Sequence, residues 1–484
     1  MDRPDLEAMQ ALTTWWESRW ARPLDLVAVV AALLVVSRLV YEEGVSWLVW
    51  ALVALLIFCL SLIRWPYGAL ITLIGMSAMP RFYIELYGWK IRPEQVATVI
   101  VAAAIAIWLW RKKTGLGCEK LDYWVLGYLA LNYLSSAFTS PQPSSTLKWA
   151  LMNNLGVLPY FLIRLLVRDT KMLEKVFRIL LGIAIVEVTY GLCCYLSHLM
   201  FGTTTGMEAG QYLANVAAPY GTLYEPNLFG AYSACCAVMM LSLFFLQRRH
   251  RAFYILSFLI ASLATLVSFS RAALLALVVA TAWVFWKGRQ RHPLRIRRLI
   301  VLAVALIAML IVIVAITPIG GILQERLSNL LSQGLTEEST ITRLLLLAES
   351  VQNIANHPLF GSGTASFQLF FDWSNFVPEW AGTAVWIGNF LIRILHDTGV
   401  FGLFMALGFI VSLVRKIHRG LRRPNSVHPY LLALCAGAVV YGITFQFTDG
   451  STLAFCWVHL GVLASAAILS ERGDEATTDS FHAI

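Results

Sequence analysis

Long apolar runs, separated by short polar clusters, make up most of this chain. Each run is roughly 16–25 residues long, the length that an α-helix needs to cross the hydrocarbon core of a bilayer. Helices satisfy their own backbone hydrogen bonds there, whereas open strands do not. Charged residues account for 13% of the 484 residues, about half the usual fraction in a soluble domain. The sequence therefore predicts an all-α, polytopic transmembrane bundle of about 12–14 helices.

The apolar runs divide the chain into spans, one long loop and two polar ends. The predicted spans are about 24–40, 46–63, 66–80, 94–110, 121–138, 146–163, 176–200, 228–247, 252–267, 272–286, 299–318, 386–414, 429–446 and 452–470. Helices 1–11 then occupy 24–318, a large periplasmic loop occupies 319–385, and helices 12–14 occupy 386–470. Residues 1–23 form a cytoplasmic N-terminal segment and 471–484 a cytoplasmic tail.

Basic residues follow the predicted topology. The formal net charge is +9, and most Lys and Arg residues lie in alternate loops, as the positive-inside rule requires. This pattern explains the charge without a nucleic-acid partner. One outside loop departs from it, because residues 81–93 carry Arg81, Lys90 and Arg92. Either this loop binds an anion or the third and fourth spans are misplaced.

The loop 319–385 is far longer than the other connections, and long loops are usually functional or disordered. Within it, residues 341–354 place apolar side chains at helical spacing, with Arg343 off that stripe. This pattern predicts a helix lying on the membrane surface. Aromatic residues follow, and we expect them to anchor the loop at the membrane interface. They are Phe367, Phe370, Phe371, Trp373, Phe376, Trp380 and Trp386.

Motifs of soluble nucleotide-dependent and metal-dependent enzymes do not occur in the sequence. It contains no GxxxxGK[ST], no HExxH, no CxxC and no Asp-x-Asp. The sequence thus predicts neither a metal site nor a cofactor, and attention passes to charges near predicted helix ends.

Arg271 follows Ser268-Phe269-Ser270 and joins two apolar runs with almost no loop between them. On the predicted topology it lies at the outer face, where a guanidinium binds a phosphate or pyrophosphate through two parallel hydrogen bonds. The alternative is an arginine that extends to the interface for hydration alone.

Glu225 lies in an outer loop that leads straight into a helix, and Asn227 is a candidate cap for that helix. A capping turn alone explains most of this segment. Arg343 is either one more basic residue on a surface helix or a second phosphate ligand.

His396 and Asp397 are ionisable groups inside the twelfth span, where such groups usually face a cavity or a partner. A local pair is the simpler explanation, since Arg393 lies four residues before Asp397 on the same helix face. The segment 357–363 is predicted to be structural, because its proline ends a helix and its glycines permit a turn. We expect the remaining outer-face charges to be solvated loop residues: Arg81, Arg92, Asp372, Glu379 and Asp449.

Four short motifs, in order, resemble the O-antigen ligase and O-antigen polymerase superfamily of bacterial envelope glycosyltransferases. They are Gly-Thr-Leu-Tyr-Glu-Pro-Asn at 221–227, Ser-Phe-Ser-Arg at 268–271, Arg343 ahead of Asn-His-Pro-Leu-Phe-Gly-Ser-Gly at 356–363, and Gly388-Asn389 followed by Asp397-Thr398-Gly399. The resemblance covers roughly 220–410; the earlier helices match in character only.

The resemblance implies metal-independent transfer of a glycan at the outer face of the bacterial inner membrane. The donor would be linked to a polyprenyl pyrophosphate, and the acceptor would be a glycan or a lipid-linked hydroxyl. Arg271 and Arg343 match arginines that engage the pyrophosphate. Asn227, Asn389 and Arg92 complete the predicted substrate-binding set.

Gly388 departs from the family pattern, which usually has a histidine at this position as the base. The departure favours a polymerase of an exopolysaccharide or related glycan over a ligase that joins glycan to lipid A core. His396, Glu225 and Asp372 are then the candidate bases.

Two other classes of protein remain open on the sequence alone. A lipid-linked sugar flippase or transporter would show two similar halves and sites near the midplane. A scaffolding membrane protein would tolerate changes at Arg271 and Arg343.

Overall fold

The computed structural model describes residues 66–86, 89–112, 117–208, 217–247, 250–291, 338–372, 385–422 and 425–472. The predicted spans 24–40, 46–63 and 299–318 lie outside these residues. So do the first part of the long loop, the aromatic residues Trp373, Phe376 and Trp380, Glu379, and most of the C-terminal tail.

The described part of the chain is all-α apart from two short antiparallel hairpins, which confirms the predicted fold class. The helices are α1 Tyr67–Ser77, α2 Pro93–Lys112, α3 Lys120–Phe138, α4 Pro143–Val157, α5 Pro159–Leu166, α6 Thr170–Phe201, α7 Pro226–Leu246, α8 Arg251–Val267, α9 Arg271–Arg291, α10 Glu338–Asn356, α11 Phe367–Phe370, α12 Phe390–Arg422, α13 His428–Thr444 and α14 Ala454–Arg472. The strands are β1 Ile84–Leu86 paired with β2 Trp89–Ile91, and β3 Met207–Glu208 paired with β4 Ala218–Pro219.

Six stretches of the described helices are long and apolar enough to cross a bilayer, as expected of an integral membrane protein. They are Pro93–Trp110, Pro143–Leu166, Thr170–Phe201, Pro226–Leu246, Phe390–Arg422 and Ala454–Arg472. One predicted span, 146–163, is divided between α4 and α5. The division falls at Leu158, because Pro159 lacks an N–H and therefore begins a new helix.

Helix α7 lies at the centre of the bundle and packs against α8, α9 and α13. Small residues such as Ala231, Ala234 and Cys235 are almost completely buried, which lets the neighbouring helices approach closely. Because α7 is enclosed on several sides, its first turn is held in a fixed position at one end of the bundle.

We call that end the upper end; it contains residues 78–86, 89–92, 217–225 and 445–453. The Thr222 hydroxyl lies 2.6 Å from the Ala78 carbonyl oxygen, so two of these connections touch. The opposite, lower end carries ion pairs of predicted inside residues. Lys416 Nζ lies 3.0 Å from Glu471 Oε2, and Arg472 Nη2 lies 2.9 Å from Glu119 Oε1.

Helix α12 is broken at Gly399, where φ is 66°, and loop residues 357–365 lie against the break. The Ser362 N–H donates to the His396 carbonyl at 2.8 Å, and the Val400 N–H donates to the Pro358 carbonyl at 2.9 Å. Backbone groups freed by the break therefore find partners in the loop. This contact is structural, as predicted for the segment 357–363.

Candidate active site at the upper end of the bundle

The segment 221–227 enters α7 from a turn that is fastened to α6. The Thr222 N–H donates to Glu187 Oε1 at 2.8 Å, and the Thr222 hydroxyl lies 2.6 Å from Glu187 Oε2. Gly221 has a φ of 61°, and a Cβ atom there would lie 2.3 Å from Glu187 Oε1. Only glycine fits this position, so the turn lies directly on the Glu187 carboxyl.

Two arginines of the hairpin between α1 and α2 hold the other side of this segment. Arg81 Nη1 donates to the Tyr224 carbonyl at 2.7 Å, and its Cζ lies 3.6 Å from the centre of the Tyr220 ring. Arg92 is 8% exposed, and its Nε lies 2.9 Å from Glu94 Oε1.

The prediction that Arg92 is a solvated loop residue is therefore wrong, because its guanidinium is buried in an ion pair. Its predicted role in substrate binding finds no support in this geometry. Helices α1 and α2 occur where the third and fourth spans were predicted, so misplaced spans do not explain the basic outer loop. The basic residues of this loop are instead explained by contacts with the segment 220–224, such as those of Arg81 with Tyr220 and Tyr224.

Glu225 immediately precedes the first residue of α7, in the N-cap position, but its carboxylate does not cap the helix. Its backbone carbonyl accepts the Phe229 N–H at 3.1 Å, while the side chain turns elsewhere. The Thr448 hydroxyl donates to the carboxylate, and the Asn227 side chain also bonds to it. The predicted cap at Asn227 is wrong, since Asn227 lies inside the first turn and contacts Glu225.

Arg343 approaches the same carboxylate from α10. This helix, Glu338–Asn356, confirms that residues 341–354 are helical. Burial raises the pKa of the Glu225 carboxyl above its ordinary value, and the Thr448 hydrogen bond and the nearby Arg343 charge offset part of this increase. Arg343 itself is exposed. The long loop thus places a guanidinium beside the start of the central helix.

Arg271 begins α9 and is held near the first turns of α7 by the serines that precede it. A Cβ atom at Gly230 would lie 2.4 Å from Ser268 Oγ, so the α8–α9 connection packs tightly against α7. Gly230 is five residues after Glu225, or about 7.5 Å along the helix axis. The Arg271 side chain is exposed at this end. Phe269 adopts a φ of 55°, a rare conformation for a bulky residue, to make the short connection.

Buried ion pairs connect the turn 445–453 with the break in α12. Arg393 bonds to Asp449 through Nη1, and its Nε lies 3.5 Å from Asp397 Oδ2. The Ala365 N–H donates to the same Asp397 oxygen at 3.0 Å. The predicted pair of Arg393 and Asp397 is therefore present. Asp449, predicted to be solvated, has a side chain only 3% exposed, because Arg393 binds it.

His396 is 0% exposed, and its Nδ1 lies 3.0 Å from Asp397 Oδ1. The Phe367 ring contacts it edge-on at 5.4 Å between centroids. The imidazole is enclosed by its neighbours and is not accessible to an acceptor hydroxyl, whereas the predicted base would have to be accessible. Phe367 is buried against this histidine and Phe371 is buried against Phe367, so neither is exposed at an interface as predicted, whereas Phe370 and Trp386 are exposed.

Asn389 caps α12 at the upper end. Its Oδ1 accepts the Leu391 and Ile392 N–H groups, each at 3.0 Å, and its Nδ2 donates to Gln446. All of these contacts are structural, so the predicted substrate contact is not what holds Asn389. Asp372 is exposed beside residues 373–384, which lie outside the described chain.

The structure brings Arg271, Arg343 and Glu225 to one end and adds residues that the sequence analysis missed. Glu187 was identifiable as a carboxyl inside the predicted span 176–200. Thr448 carried no signal, because its partner Glu225 is distant in the chain.

The apolar helices of this all-α bundle place the chain in the class of integral membrane proteins. Its candidate site is the charged cluster at the upper end. Residues 256–407 match the sequence profile of a family described as O-antigen ligase. No curated protein matches the chain. This match covers about a third of the chain and supports its resemblance to the O-antigen ligase and O-antigen polymerase superfamily. The matched stretch contains Arg271, Arg343 and the break at Gly399, and it ends short of the turn 445–453.

Proposed function

We propose that this protein transfers a glycan from a polyprenyl pyrophosphate carrier to an acceptor hydroxyl at the outer face of the bacterial inner membrane. Both termini then lie in the cytoplasm, and the upper end faces outward. The observation that supports this function is the approach of two arginines, Arg271 and Arg343, to the start of α7 from α9 and from the long loop.

Two guanidinium groups suit this reaction because the leaving group is a pyrophosphate. Charge develops on its oxygens as the bond to the anomeric carbon breaks, and fixed cationic donors stabilise that charge. Arginine binds phosphate oxygens through two parallel hydrogen bonds, so the reaction needs no metal ion at this point. A flippase would place its ionisable site near the middle of the bundle, whereas these arginines lie at its end.

The position of Gly388 favours a polymerase, in which the acceptor is a second carrier-linked glycan. A Cβ atom at residue 388 would lie 3.4 Å from the Phe447 carbonyl oxygen, which is an ordinary contact. The backbone therefore tolerates a Cβ atom here, but this chain has glycine where the ligase pattern has histidine. Ligase activity on lipid A core is the alternative outcome.

Replacing Arg271 or Arg343 with Ala tests the transfer reaction. We expect polymer synthesis to fall about 100-fold or more and carrier-linked repeat units to accumulate, with Lys restoring only part of the activity. Arg419→Ala is the matched control, because Arg419 is an exposed arginine at the lower end. Normal polymer at normal protein level in both site variants would refute the proposal.

Analysis of the product separates polymerase from ligase. A polymerase yields longer chains that are still linked to the carrier when the lipid A core is absent. Glycan attached to lipid A core only when this protein is present would show that it is a ligase.

A further inference from the structure

We propose that the Glu225 carboxylate is the general base of this transfer and takes the proton of the acceptor hydroxyl. The inference depends on the function proposed above and supplies the group that the glycine at position 388 leaves missing. It rests on three observations: Glu225 lies at the start of α7, its carboxylate has hydrogen-bond partners from other segments, and its side chain makes no capping hydrogen bond.

A carboxylate at the N-cap position of a helix can accept hydrogen bonds from the free N–H groups of the first turn. Glu225 does not, because its side chain makes no capping bond. Its oxygens are instead held by Thr448 from the turn after α13 and by Asn227. Glu225 is partly exposed. Because its carboxylate is held in one orientation and makes no bond to the helix backbone, it can accept a proton from a substrate.

The other two candidate bases are less suitable. His396 is 0% exposed and enclosed by Phe367 and Asp397. Asp372 is more exposed to solvent than Glu225, and a carboxylate exposed to water is a weaker base than one partly removed from it.

The location of Glu225 also agrees with the site of the missing side chain. Position 388 contacts the Phe447 carbonyl, and the next residue, Thr448, binds Glu225. Glu225 is therefore bound by the residue that follows the one a side chain at position 388 would contact. Arg343 interacts with the same carboxylate.

The step balances as a substitution at the anomeric carbon. The acceptor oxygen forms a bond to that carbon while the bond from carbon to the pyrophosphate oxygen breaks. The bonding electrons leave with the pyrophosphate, whose charge Arg271 and Arg343 stabilise. The acceptor proton passes to Glu225, which later releases it to water.

Several charged groups surround Glu225, and together they set its proton affinity. Burial raises its pKa most, Arg343 on α10 lowers it, and Asp449 in the turn after α13 raises it. Glu208 on β3 faces it as a further negative charge. Because the base acts when deprotonated, the rate of transfer rises with pH through the pKa of Glu225 and is constant above it.

The test uses membranes of cells in which a variant is the only copy, and it measures polymer formation from the carrier-linked glycan they contain. For Glu225→Gln we expect the rate to fall about 100-fold or more and to lose its rise with pH. Purified Glu225→Gln should still bind undecaprenyl pyrophosphate within a factor of about two of the unaltered protein, since the arginines remain. Glu225→Asp, which keeps the base on a shorter side chain, should retain more activity than Glu225→Gln.

Glu174→Gln is the matched control. It removes a carboxylate of an exposed ion pair with Arg178 at the start of α6, so both the rate and its rise with pH should be unchanged. If Glu225→Gln keeps more than a tenth of the rate at normal protein level, or keeps the same rise with pH, Glu225 is not the base. If the Arg271 and Arg343 variants are impaired in the same experiment, the proposed function survives that result; if they too are normal, both proposals fail.

Discussion

Single residues at the upper end are defined by partners that are distant in sequence. Arg271 and Arg343 were predicted from charge and position, because a guanidinium near a helix end is visible in one segment. The role of Glu225 was left open, since a capping turn and a free carboxylate have the same local sequence. The cap was predicted at Asn227 but occurs at Asn389 on α12, because an asparagine near a helix start carries no mark that separates a cap from a ligand.

Thr448→Val tests the contact that fixes Glu225. The change keeps the shape of the side chain but removes a donor that stabilises the charged carboxylate, so the pKa of Glu225 should increase further. A higher pKa leaves less of the base deprotonated at neutral pH. We therefore expect the rise in transfer rate to move to higher pH, with a rate several-fold lower at pH 7.

Thr444→Val provides the control for this measurement, because within the described part of the chain the Thr444 hydroxyl bonds to carbonyls of its own helix and not to Glu225. Its pH dependence should match that of the unaltered protein. An unchanged pH dependence in Thr448→Val would mean that the hydroxyl does not act on Glu225.

Helices were predictable from the apolar runs because a membrane span must be continuous and of nearly fixed length. Bounds of α2, α3 and α7 lie within a few residues of the predicted spans. The break in α12 was not predicted, since a single glycine inside the run 386–414 does not by itself interrupt a helix. Its cause is a contact with 357–365, which are separated from Gly399 in sequence.

Gly399→Ala should destabilise the protein by about 1–3 kcal/mol, because it combines a positive φ with a blocked position. A Cβ atom there would lie 2.2 Å from the Leu359 carbonyl oxygen. Thermal unfolding of the purified protein in detergent measures the change. Gly442→Ala, in α13 where nothing lies within 4 Å of an added Cβ, should be neutral or slightly stabilising. Equal unfolding temperatures for the two variants would show that the break is not a fixed feature.

The whole molecule is joined at the upper end by one chain of contacts. It runs from Glu225 through Thr448 to Asp449, then through Arg393 to Asp397 at the break in α12. The start of the central helix, the turn between α13 and α14, and α12 therefore share one polar layer, which Ala365 of the long loop joins by donating to Asp397. No single segment of sequence contains more than two of these residues, so the layer could not be predicted from the sequence.

Asp449→Asn tests whether this layer holds the molecule together. The change keeps the size of the side chain but leaves the buried Arg393 with Asp397 as its remaining acidic partner at 3.5 Å. Loss of a partner from a buried ion pair typically costs about 3–5 kcal/mol, so the unfolding temperature should decrease clearly. Arg419→Ala removes an ion pair at the exposed lower end, where such pairs contribute roughly 0–1 kcal/mol. If both variants unfold at the temperature of the unaltered protein, the polar layer does not stabilise the bundle; if Asp449→Asn alone is destabilised, the layer joins the long loop to the helices that carry the site.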